Sequence, residues 1–228
     1  MRFAKMLLLL LFGALSLPAA AGLNMGTVTT VDNKAGYAWA AIGLARDNND
    51  GDLFCEVSGS NAFCWGHDQW KNEFSCHSNA PAFVKNARAI NTASFVAVYW
   101  DPGRPDFCTD MWLSNGSQYL PETHKWPSFF KILFGTNSAT GIVSGIRYNT
   151  GIPDDYLSCD IHASSGYIYC AARSGFVTYH CYTGEAVNPL FAEGVRSIDA
   201  TSMVTFNFDG STGMCTTISV RKSSNFVH

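Results

Sequence analysis

The stretch "PAFVKNARAINTASFVAVYWD" runs from Pro81 to Asp101, and "PLFAEGVRSIDATSMVTFNFD" runs from Pro189 to Asp209. Seven of the 21 aligned positions are identical: Pro81, Phe83, Arg88, Ile90, Ser94, Val96 and Asp101 stand over Pro189, Phe191, Arg196, Ile198, Ser202, Val204 and Asp209. The cysteines keep the same register. Cys55, Cys64, Cys76 and Cys108 map onto Cys159, Cys170, Cys181 and Cys215 at offsets of 104 to 107. Thr109, Ser117 and Tyr119 correspond to Thr216, Ser224 and Phe226. Self-similarity at one fixed spacing indicates an internal duplication. The copies cover about 36–120 and 141–228.

Each copy reads as strands around one helix. "YAWAAIGLAR" (37–46) and "GIVSGIRYN" (141–149) are expected opening strands. "DLFCEV" and "YLSCDI" alternate apolar and polar residues, and turn signals follow at Gly59-Ser60 and Ser164-Ser165. "NAFCWG" and "YIYCAA" are return strands, and a further strand ends at Cys76 and at Cys181. Phe83, Ala87 and Ile90 stand at i, i+4 and i+7, as do Phe191, Val195 and Ile198, so a helix with one apolar stripe is expected at 80–90 and 188–198. Asn188 is placed to cap the second helix, and Ser78 or Asn79 the first. Two β-rich segments, turning at Pro102-Gly103 and Gly210-Ser211, close each copy. The expected fold class is α+β: two homologous units, each a disulfide-stabilised antiparallel sheet with one helix.

The ends and the composition place the chain. "MRFAKMLLLLLFGALSLPAAAG" has a basic start, an apolar run and small residues at Ala19-Ala20-Ala21, which predicts a secretory signal peptide at 1–21. The 207 residues that remain carry 13 basic and 18 acidic residues, a net charge of −5. With no basic tract, nucleic acid is an unsuitable partner. No later run is long and apolar enough for a membrane span. The domain expectation is therefore a signal peptide, a first repeat within 22–120, a hydrophobic connecting segment at 121–140 and a second repeat at 141–228.

Eight cysteines in an exported chain point to disulfides, and no finger-type spacing argues for a metal. The bridges are expected to stay within each copy, as Cys64–Cys76 with Cys55–Cys108 and Cys170–Cys181 with Cys159–Cys215. Direct bridges across a hairpin are set aside on geometry.

The second copy in particular, "C…C…C…RSI…S…F…D…G.CT.I.V…S", resembles short exported bacterial proteins of one or two four-cysteine units. That resemblance implies an envelope or secreted location, in periplasm or medium. It supplies no catalytic residue.

Motifs for chemistry are sparse. There is no nucleophile elbow, zincin motif, P-loop or dinucleotide fingerprint. His67-Asp68 and Asp160-x-His162 are the close acid–imidazole pairs, and neither recurs in the other copy. "RDNNDGDLF" (46–54) is acidic but lacks the glycine placement of a calcium loop, and reads as a polar hairpin turn. Asn115-Gly116-Ser117 is a glycosylation sequon in form. The copies differ most where "CWGHDQWKNEFSC" stands against "CAARSGFVTYHC". Trp65, His67, Asp68 and Trp70 are the candidate binding residues, since tryptophans beside polar groups suit protein or sugar contacts. Equally, these tryptophans suit a thin core. The expectation is an exported binding protein for a protein or carbohydrate ligand, with no cofactor. A secreted hydrolase using His67 or His162 between the repeats, or a structural surface protein, are the alternatives.

Overall fold

The structure, a computed structural model, describes residues 29–42, 51–120, 132–149 and 155–222. The signal segment, most of the acidic loop at 46–54, and Trp126, Phe129 and Phe130 of the connecting segment lie outside the described residues.

Alternation in the sequence becomes strand pairing throughout. β1 (Thr30–Asp32) and β2 (Tyr37–Ala41) precede a meander of β3 (Gly51–Ser58), β4 (Asn61–Asp68) and β5 (Glu73–Ser78). Helix α1 (Pro81–Arg88), β6 (Ser94–Asp101) and the long β7 (Arg104–Gly116) follow. Then come β8 (Leu133–Phe134), β9 (Ser138–Ile142) and α2 (Val143–Asn149). The order strand-strand-strand-helix-strand-strand then occurs a second time: β10 (Tyr156–His162), β11 (Tyr167–Ser174), β12 (Val177–Gly184), α3 (Pro189–Arg196), β13 (Ser202–Phe208) and β14 (Cys215–Lys222).

The expected α+β pair of units is not what forms. Strands hold 58% of the described chain and helices 14%, so the fold is mostly β. The sheets also ignore the boundary between the copies. β7 pairs antiparallel with β10, from Trp112↔His162 to Gly116↔Ser158, making one sheet ordered β1-β2-β6-β7-β10-β11-β12. The β3-β4-β5 meander joins it through a parallel bridge, His77↔Phe107 on β7. A second sheet runs β14-β13-β9-β8. The reason is burial: Met111 and Leu113 of β7 and Leu157 and Ile161 of β10 are fully buried in one shared core with Phe83 of α1 and Phe191 of α3. Keeping the units apart would expose both faces of that seam.

The helix stripe behaves as periodicity requires. Phe83, Ala87, Phe191, Val195 and Ile198 are buried, while Ile90 lies past the end of α1 and is half-buried. Asn188 caps α3 by accepting from the Phe191 N–H at 3.1 Å. The N-cap of α1 is Ala80, without a side-chain cap; Ser78 Oγ instead accepts from the Ala80 N–H. The expected strand at 141–149 ends at Ile142 and turns into α2. Val143 and Ile146 are both fully buried, and only helical spacing puts residues three apart on one face.

The expected disulfide pairing is corrected. Cys55 bonds Cys64, Cys76 bonds Cys108, Cys159 bonds Cys170 and Cys181 bonds Cys215. The bridges do stay within each copy, and no cysteine is free. Directly opposed hairpin cysteines have Cα atoms 4.1 Å apart, close enough to bridge across the strands. Cys76 is then left for Cys108, which the parallel contact between β5 and β7 brings beside it.

Candidate ligand-binding face

Strand parity builds the face. On β4 the alternate residues Ala62, Cys64, Gly66 and Asp68 point inward and are buried. Phe63, Trp65 and His67 therefore point out. Their cross-strand partners do the same. Phe54 stands opposite Trp65, and Trp65 opposite Ser75. Asp52 stands opposite His67, and His67 opposite Glu73. Glu56 faces Phe63, Phe63 faces His77, and His77 faces Phe107 of β7.

The result is a broad aromatic surface. Phe54 is 51% exposed, Phe63 46%, Trp65 42% and Phe107 44%, values far above those of core aromatics such as Phe83 at 1%. The rings brace one another: Phe54 and Trp65 stack at 6.0 Å, Phe63 and His77 lie 5.8 Å apart, and His77 and Phe107 4.5 Å. The Arg104 guanidinium sits 4.9 Å over the Phe107 ring. Trp65 divides two shallow depressions. One of about 520 Å³ is lined by Phe63, Ser75, His77 and Asp106, the other of about 490 Å³ by Phe54, His67, Asp52 and Glu73.

Of the four residues singled out in the sequence, the structure brings Trp65 and His67 onto this face. Trp70 sits beyond it, 67% exposed in the turn between β4 and β5. Asp68 does not join them. It is 1% exposed, and its Oδ1 accepts from the N–H groups of Trp70 and Asn72, both at 2.9 Å. Its Oδ2 accepts from Asn72 Nδ2 at 2.8 Å. Burial works to raise its pKa, but these hydrogen bonds outweigh it and hold the carboxyl below its ordinary value. Asp68 is a turn anchor, and Lys71 in the same turn takes the left-handed conformation, φ 65°.

Phe54, Phe63, His77 and Phe107 were missed. The signal was present: the cysteines point inward, so the residues flanking Cys55, Cys64, Cys76 and Cys108 in their strands point outward.

The second acid–imidazole pair lies elsewhere, on the outer face of the β7–β10 seam. Asp160 and His162 share a face of β10. His162 stacks on Trp112 at 5.3 Å and places Nδ1 3.9 Å from Asp110 Oδ2. Asp110 accepts from the Ser164 N–H and Oγ at 2.8 and 2.7 Å. Burial opposes its ionisation, yet the nearby His162 imidazole and the hydrogen bonds from Ser164 and Met111 bring its pKa down to about 2. Burial pushes Asp160 up to about 6, against a hydrogen bond from Ser114 and the nearby His162. Ser114 donates to Asp160 and exchanges a 2.8 Å hydrogen bond with the Tyr119 hydroxyl. Ser114 and Tyr119 are buried, so their hydroxyls stitch the seam, while Ser164 at its rim is exposed. Asn115 of the sequon is fully buried, its amide donating to the Val195 carbonyl at 3.2 Å, a position no glycan can reach.

Among the described residues, no group of three or more His, Cys, Asp or Glu is placed to hold a metal ion. Among them too, no helix is long and apolar enough to cross a membrane. No protein-family model matches the chain, and neither a curated protein nor a solved structure matches it.

Proposed function

We propose that this is an exported binding protein that captures a ligand outside the cytoplasm on the outer face of β3, β4 and β5. A protein partner fits best and a glycan second. One observation carries the reading: four large aromatic side chains, Phe54, Phe63, Trp65 and Phe107, stand 42–51% exposed on adjoining strands. Contiguous exposed apolar surface of this kind marks interaction sites, and aromatic residues dominate their energetics. The apolar N-terminal segment with its small residues supports export, as does the resemblance to four-cysteine bacterial envelope proteins. Four disulfides suit an oxidising compartment.

The test is a screen of immobilised protein against a peptide array and a glycan array, repeated with Phe63→Ala/Trp65→Ala. Hits should disappear in the double variant while its melting temperature stays within about 2–4 °C of wild type, roughly 1 kcal/mol for a chain this size. Hits that survive the double variant unchanged, or an absence of hits on both arrays, would overturn the reading.

A further inference from the structure

We infer that the face around Trp65 takes a basic, extended segment of a partner protein, seating a Lys or Arg side chain in each of the two depressions. This rests on the binding reading above and adds the chemistry of the partner.

Charge decides between ligand classes. The two depressions are lined by three carboxylates, Asp52, Glu73 and Asp106, and by no Lys or Arg. None of the three is in an ion pair among the described residues, whereas Glu185, Glu193, Asp110 and Asp199 elsewhere all have cationic or imidazole partners. Unpaired carboxylates beside exposed aromatic faces attract a cation twice over, by charge and by the ring quadrupole. The molecule already shows the contact it would offer. On the same face, the chain's own Arg104 lays its guanidinium over Phe107 at 4.9 Å. A partner's Lys or Arg would meet Phe63, Trp65 and Phe54 in the same way.

Spacing argues for a polypeptide segment over a small free cation. The depressions lie on either side of Trp65, one between the Phe63 and Trp65 rows and the other between the Trp65 and His67 rows. Side chains i and i+2 of an extended chain fall on one side, roughly 6.6 Å apart, which matches the step between residues of like direction on β4. An extended segment lying along β4 thus places alternate basic side chains in successive depressions.

The experiment is isothermal titration of the whole secreted chain with a nonapeptide carrying Arg at alternate positions. The same peptide with citrulline for Arg, a neutral aromatic peptide and a neutral hexasaccharide serve as comparison probes. The Arg peptide should bind at low salt and weaken at near-physiological salt. Citrulline replacement, Trp65→Ala and Asp52→Asn/Glu73→Gln should each weaken it by about tenfold or more, the equivalent of ~1.4 kcal/mol. Glu193→Gln removes an exposed carboxylate from α3, away from the face, and should change the affinity by less than about twofold, under ~0.5 kcal/mol. Equal binding of the citrulline peptide, or equal weakening by Glu193→Gln, would overturn the inference. If the aromatic peptide or the hexasaccharide binds in a Trp65-dependent way and the Arg peptide does not, the cationic partner is wrong and the binding face stands. If no probe binds and Trp65→Ala alters nothing, both fall together.

Discussion

Asp68 and Asp160 show how two carboxylates of one chain are put to opposite use. Asp68 accepts three hydrogen bonds from its own turn, so its ionised form is favoured in the fold. A depressed carboxyl pKa contributes stability above the unfolded value of 3.8, and that contribution is lost as pH falls through the folded value. Asp68→Ala should cost about 1–3 kcal/mol in urea denaturation at pH 7, because the Trp70 and Asn72 N–H groups lose their acceptor. The gap to wild type should shrink as the pH is taken below 3.8. Asp160 runs the other way. Its pKa is raised to about 6, so the native state holds the proton more tightly and stability falls as pH rises from 3.8 through 6. Asp160→Asn should therefore gain on wild type at pH 7.5 relative to pH 4.5, by an amount on the order of 2 kcal/mol. Melting curves of both proteins at the two pH values check the sign. An equal difference at both would show that Asp160 ionises freely in the fold.

At the scale of elements, the bridges do different work according to the loops they close. Cys55–Cys64 closes 9 residues across a hairpin already held by its own ladder. Cys76–Cys108 closes 32 and ties the meander to β7 across α1 and β6. Loop-closure entropy assigns about 2.6 kcal/mol to the first and about 3.7 kcal/mol to the second. Cys76→Ser/Cys108→Ser should thus be the more destabilising pair, by about 1 kcal/mol, and should also loosen the face around Phe107. Denaturation midpoints of the two double variants measure the order. Thiol titration of unfolded, unreduced wild type should find no free cysteine, since all eight are bridged.

At the scale of the whole molecule, α1 and α3 are joined by a buried polar junction. Arg196 of α3, its side chain 6% exposed, donates to Asn86 Oδ1 of α1 at 2.9 Å and to both Glu185 oxygens at 3.1 and 2.7 Å. Asn86 in turn donates to the carbonyls of Met111 on β7 and Ile161 on β10, so one residue reads both sides of the seam. Arg88, the counterpart of Arg196 at the matching place in α1, is exposed and donates to the Gly59 carbonyl at 2.6 Å. Arg196→Ala should cost about 1–3 kcal/mol by leaving the buried Asn86 Oδ1 without its donor and Glu185 with Lys85 as its cation. Arg88→Ala should stay within about 1 kcal/mol of wild type. Chemical denaturation of the two variants tests the asymmetry, and equal losses would mean that the junction does not hold the two helices.

Local pattern was enough for much of this. Period-2 alternation placed β3, β4, β10 and β11, turn residues placed their hairpins, and the i, i+4 stripe placed α1 and α3 within a residue or two. Alternation puts Trp65 and His67 on one face and Asp68 with Cys64 on the other, although the sequence reading counts Asp68 among the binding residues and leaves Trp65 between surface and core. These follow from the sequence because backbone geometry ties each side chain's direction to that of its near neighbours. What the sequence did not determine is which surfaces meet. Cys64 stands opposite both Cys55 and Cys76 in the ladders, so parity is silent on its partner, and only the approach of β7 to β5 assigns Cys76 to Cys108. Arg88 and Arg196 are the same residue at the same helix position, yet one meets solvent and the other is buried against a half-buried carboxylate. That difference, like the joining of β7 to β10, comes from the burial of a core shared by both copies, a sum over contacts far apart in the chain that no local spacing encodes.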